Sequence, residues 1–149
     1  MTPPRIVVGV DGSDQSRTAL TRAVKEARLR DGVVEAVHVW SLPPYWGGID
    51  YAISQLPSRR EVEEAARREL DEVLAGLPDT VPVEPVVVEG SVARTLVEMS
   101  RGAEMLVVGS RGRGGFTGLV LGSTSHALVG HAHCPILVVQ PLDRDDADT

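Results

Sequence analysis

The sequence is poor in aromatic residues: two tryptophans, two tyrosines and one phenylalanine among 149 residues. Its core must therefore be aliphatic, built chiefly from Val, Leu, Ala and Ile. A single cysteine, Cys134, excludes an internal disulfide framework. No apolar run approaches membrane-spanning length, and no charged segment followed by an apolar one opens the chain. The sequence thus reads as cytoplasmic, with no membrane partner. Positive charge is in deficit, 15 Lys and Arg against 21 Asp and Glu, for a net charge of −6. That balance argues against nucleic acid or an anionic membrane surface as partner.

What is present alternates between short apolar runs and helical periodicity. Residues 5–10 (RIVVGV) form a continuous apolar run of the kind buried on both faces of a parallel sheet, stopped by Asp11-Gly12-Ser13-Asp14. Ser13 or Asp14 can cap a helix carrying Ala19, Leu20, Ala23 and Ala27 and ending near Asp31-Gly32. Val33 to Trp40 reads as a second strand. Ser41 to Pro57 has no clear period and holds Tyr45, Trp46 and Tyr51; a connection this long is often close to a site. Ser58 to Gly76 is strongly helical, with Val62, Ala65, Ala66, Leu70, Val73 and Leu74 as its buried stripe. Val81 to Val88 is a third strand, which Pro82 and Pro85 push to a sheet edge. A short helix over 92–101, a strand over 104–109, a helix from Ser123 to about Gly130 and a last strand over 135–140 complete the pattern. The acidic tail, 143–149, should fray. The expectation is one α/β domain over 1–149, core about 5–140, with a mostly parallel sheet.

Gly109 to Ser125 (GSRGRGGFTGLVLGSTS) is the stretch that bears on function. It leaves a buried strand and enters a helix, and its only charges are Arg111 and Arg113. Gly122, Ser123, Thr124 and Ser125 bring hydroxyls and free amides to a helix start, where the dipole favours an anion. No Gly-Lys-Ser/Thr closes it as in a Walker A loop. A dinucleotide fingerprint read from Gly112 would find Thr117 at its last glycine. The spacing that stands is Gly109-x2-Gly112-x9-Gly122-Ser123, long enough to wrap a triphosphate. If the first and fourth strands are neighbours, Asp11 faces the same crevice.

This spacing, with 6–13 (IVVGVDGS), the pair His38-Val39 and 134–139 (CPILVV), resembles the nucleotide-binding type of universal stress protein. The resemblance implies a Rossmann-like five-stranded parallel sheet in the order 3-2-1-4-5, as in the adenine nucleotide alpha hydrolases, with helices on both faces. It implies ATP as ligand, with Mg²⁺ or Mn²⁺, and a homodimer formed through Pro135 to Gln140. Carried over by position, Gly109, Gly112 and Gly122 line the phosphates beside Ser123, Thr124 and Ser125. Asp11 lies by the ribose, phosphates or metal, Val39 meets adenine through its backbone, and Gly9 and Val10 form the floor. Ser91-Val92 departs from the family, which often has a proline or an acid there.

The remaining reactive residues invite simpler readings. His131 and His133 are two apart with no third ligand near in sequence, which is not a zinc pattern. His126 reads as a helix-face residue, His38 as a packed strand residue, and Cys134 as a small buried one. No catalytic residue stands out, because beyond Asp11 the loop offers only glycines, arginines and hydroxyls. The reading is an ATP-binding regulatory module of the stress response with an unknown client. Two rivals remain: a slow ATP-hydrolysing or nucleotidyl-transferring enzyme, and an interaction protein with a vestigial nucleotide site.

Overall fold

In the computed structural model, residues 2–42, 57–111 and 121–141 are described. The elements are β1 (Arg5–Gly9), α1 (Asp14–Leu29), β2 (Val33–Trp40), α2 (Arg59–Ala75), β3 (Val83–Glu89), α3 (Val92–Met99), β4 (Met105–Gly109), α4 (Ser123–His131) and β5 (Ile136–Val139). All neighbouring strands pair in parallel, and the sheet order is β3-β2-β1-β4-β5. The aromatic stretch around Trp46, the loop residues Gly112 and Arg113, and the acidic tail lie outside the described residues.

Two aliphatic layers flank the sheet. Ile6, Val8, Val10, Val34, Ala36 and Val107 pack with α1 and α2 on one face. Val7, Val37, Leu106 and Val108 pack with Leu96 of α3 and Leu128 of α4 on the other. The split follows from topology. Connections run outward from β1 to β3, then cross back to β4 and β5, and right-handed crossovers put the two halves' helices on opposite faces. Strand β1 is central, with Ile6, Val7 and Val8 fully buried, as its unbroken apolar run requires. Strand β3 is at an edge, where Pro85 costs no ladder bond on the open side.

Serine starts three helices. Ser13, Ser58 and Ser91 each accept an amide hydrogen bond with the side chain, from Ser16, Glu61 and Arg94. On α2 the stripe is narrower than its periodicity suggests: Ala66, Leu70 and Val73 are buried, Val62 and Leu74 are half-buried, and Ala65 faces solvent. Helix α1 ends in a Schellman turn, in which the Gly32 amide donates to the Ala27 carbonyl at 2.8 Å and the Asp31 amide to Arg28 at 3.4 Å. The left-handed residue there is Asp31, φ 52°, not the glycine beside it. Gly32 serves another need, because a Cβ at this position would collide with the Pro4 carbonyl.

Candidate functional site

Strands β1 and β4 are neighbours, with Ile6 opposite Met105 and Val8 opposite Val107. The chain leaves them in opposite directions, so their carboxyl ends open a crevice at the point where the strand order reverses. Asp11 stands at its β1 side. The Asp11 carboxylate accepts the Ser13 amide at 2.9 Å, and the Asp11 amide donates to Ser16 Oγ at 3.3 Å. It therefore shapes the turn into α1. Val10 is buried in the α1 layer. Gly9 lies under α3, where a Cβ would approach Leu96 Cδ1 to 3.1 Å.

The β4 side carries the glycine-bounded loop, and its neck is tied shut. The Gly122 amide donates to the Ser110 carbonyl at 2.6 Å, and the Ser110 amide donates to Val139 of β5 at 3.0 Å. Ser125 Oγ donates to the Gly109 carbonyl at 2.7 Å. Gly109, Gly122 and the start of α4 are thus brought together.

The hydroxyls do not have the roles expected of them as caps. Gly122 is the N-cap of α4 and offers no side-chain bond, exposed Ser123 is the first helical residue, and buried Ser125 is committed to Gly109. Among the described helices only α4 begins without a side-chain cap, and no acceptor among the described residues takes the amides of Ser123, Thr124 and Ser125. Such a start suits an anion. The Nε–H of Arg111, the residue after Ser110, is buried and has no acceptor among the described residues. A buried donor without an acceptor is costly, and an anionic oxygen is its natural partner.

The third wall is the end of β2. Val33 and Val37 exchange backbone bonds with the β1 side, through Pro4 and Val10, while Val34 and Trp40 bond towards β3, through Pro82 and Gly90. The alternation turns the Val39 N–H and C=O to the β1 side, two residues beyond Val37, the last β2 residue paired with β1. His38 is buried. Its Nδ1 lies 2.7 Å from the Val10 carbonyl, which can only accept, so Nδ1 carries the proton. Its Nε2 lies 3.5 Å from Glu69 of α2.

One residue at this site has no sequence signal. Gln15, second in α1, accepts the Arg111 amide at 2.8 Å and the Ser110 hydroxyl at 3.3 Å on Oε1. An isolated glutamine makes no motif, and its partners lie about a hundred residues away.

Among the described residues no three of His, Cys, Asp or Glu are placed to hold a metal ion, and no helix is long and apolar enough to cross a membrane. Cys134 is half-buried; burial raises its thiol pKa above the usual 9.0, while the Arg5 charge acts the other way.

A parallel sheet in this order, with a glycine-bounded loop and an uncapped helix start at its switch point, defines a Rossmann-like α/β protein. The chain belongs to the universal stress protein family, whose model matches residues 3–140. The universal stress protein Rv2005c of Mycobacterium tuberculosis is 41% identical over 141 residues, which is 91% of this chain and 45% of that one. The chain therefore spans a little under half the length of that relative. Among solved structures, a universal stress protein in complex with cAMP matches with a TM-score of 0.66 at 22% identity, covering 93% of this chain and 98% of that one. The universal stress protein from Archaeoglobus fulgidus in complex with dAMP matches with a TM-score of 0.56 at 24% identity, over 93% and 98%. These two likenesses carry the fold.

Proposed function

We propose that this chain binds an adenine nucleotide, ATP first among them, and works as a nucleotide-dependent regulatory module rather than as a catalyst. The observation that carries the reading is the buried Arg111 Nε–H without an acceptor among the described residues, set at the loop neck. The uncapped start of α4 supplies further donors to the same phosphates. In this reading Gly109, Gly112 and Gly122 let the backbone close on the phosphates, with Arg113 adding positive potential. The Val39 backbone edge meets adenine, in the crevice that Gly9 and Val10 floor. The solved relatives in complex with cAMP and with dAMP support the ligand class.

A divalent ion, Mg²⁺ or Mn²⁺, would be held mainly by the phosphates, with Asp11 as the chain's contribution. Asp11 already shapes the turn into α1, and this favours binding over turnover. We also propose a homodimer through β5, whose four half-buried apolar residues lie at the sheet edge. Sedimentation should then show a dimer, and a monomer at every concentration would remove that part.

The deciding experiment is calorimetric titration of nucleotide-stripped protein with ATP, AMP and cAMP, with and without Mg²⁺, alongside Ser123→Glu. A carboxylate at the first position of α4 suits the helix dipole yet repels phosphate. Saturable binding that weakens at least about tenfold in the variant, at unchanged thermal midpoint, is expected. The reading fails if wild-type protein binds none of the three.

A further inference from the structure

Ser110 is held on three sides: its amide by Val139, its carbonyl by Gly122 and its hydroxyl by Gln15. Arg111 is the next residue, and the one described bond to its backbone is the 2.8 Å hydrogen bond from its amide to Gln15 Oε1. A backbone amide can only donate, so the Gln15 carbonyl oxygen, not its NH₂, must face it. Gln15 is carried there by a close approach of α1 to the end of β4. A Cβ on Gly109 would stand 3.2 Å from Gln15 Cβ and 3.3 Å from the Gln15 backbone carbonyl oxygen, tighter than ordinary contact. Gly109 therefore does more than permit a turn. It lets the second residue of α1 reach across the crevice to the loop.

We infer that Gln15 is a positioning residue, whose side-chain carbonyl extends the ordered neck by one residue and so aims the Arg111 guanidinium at the phosphates. This rests on the nucleotide reading above. Asp11, Ser13 and Gln15 sit on one turn of chain, so the same segment that forms the β1 wall also sets the cation of the opposite wall. Phosphate recognition is thereby coupled across the crevice through one uncharged side chain.

The test pairs two readouts on the full chain: exchange of the Arg111 amide by ¹⁵N NMR, and calorimetric affinity for ATP and for adenosine, which lacks phosphates. In Gln15→Leu, Arg111 exchange should speed up about tenfold while Leu106 to Gly109 keep their protection. ATP affinity should fall about tenfold and adenosine affinity should hold. Gln15→Glu, whose carboxylate accepts the same two donors, should restore Arg111 protection.

Unchanged Arg111 exchange in the leucine variant overturns the inference, as does an ATP affinity that survives loss of that protection. Equal weakening of ATP and adenosine also overturns it, since it would mark a merely structural role. A wild-type protein that binds neither ligand overturns the nucleotide reading instead, and Arg111 exchange still shows whether Gln15 latches the backbone.

Discussion

The hydroxyl of Ser125 donates to the carbonyl of Gly109 across 2.7 Å, joining the first turn of α4 to the last residue of β4. Sixteen positions apart in sequence, the two residues form the stem on which the loop is mounted. Ser125 is buried, so its loss leaves the carbonyl without that donor. Ser125→Ala should cost about 1 kcal/mol of stability in urea unfolding. A variant as stable as wild type would mean that the stem bond contributes nothing net.

The end of α1 offers a pair of substitutions with opposite signs. Asp31 holds φ at 52°, a conformation that costs an L-residue about 1 kcal/mol and glycine nearly nothing. Asp31→Gly should stabilise by about 0.5–1 kcal/mol in thermal or urea unfolding. Gly32→Ala, one residue on, should destabilise by about 1–3 kcal/mol, because its Cβ meets the Pro4 backbone. If both changes prove neutral, the Schellman turn is not as described.

Acid should weaken the fold partly through Glu26. This buried carboxylate pairs with Arg30 and, at 2.9 Å, with Arg22. The hydrogen bond from Arg30 chiefly lowers its pKa below the usual 4.5, burial opposes this, and Arg22 adds to the lowering. The pairing is therefore complete above pH 4.5 and is lost as pH falls through the lowered value. Both arginines are partly exposed, so Glu26→Gln should cost only about 1 kcal/mol at pH 7. The difference from wild type should shrink towards pH 3 in pH-resolved urea unfolding. A difference that does not vary with pH would place the effect in packing.

Cys134 should be a sluggish nucleophile. Burial raises its pKa, so less thiolate is present near neutral pH than for an ordinary cysteine. Alkylation by iodoacetamide at pH 8 should run several-fold slower than with free cysteine. Arg5→Gln, which removes the opposing charge, should slow it further. Faster labelling than free cysteine would contradict the raised pKa.

Much of this molecule was legible in advance because its signals are local. Residues 6–9 and 105–109 are unbroken apolar runs, and each lies in an inner strand. Ser13 and Ser58 stand immediately before the helices that they cap. The strand order was not readable from periodicity; it followed from the resemblance. What escaped the sequence depends on contacts between distant segments. The sequence ends α1 near Asp31-Gly32, but only the approach of Pro4 shows that Gly32 serves packing while Asp31 takes the left-handed conformation. The hydroxyls at 123–125 look like caps, but the strand end draws Ser125 inward and leaves Gly122 as the cap. Gln15 had no pattern at all, because its role is created by the end of β4.

The place of β1 at the middle of the sheet has a consequence for synthesis. Strand β1 leaves the ribosome just ahead of β2, yet its other neighbour, β4, is made about a hundred residues later. At about 5–20 residues per second, the open side of β1 waits roughly 5–20 s for that partner. Throughout this interval Ile6, Val7 and Val8 belong to a half-sheet whose growing edge is the hydrophobic centre of the finished protein. A nascent chain from which β4 has not yet emerged should therefore be a strong client for chaperones, and one from which β5 has fully emerged should not.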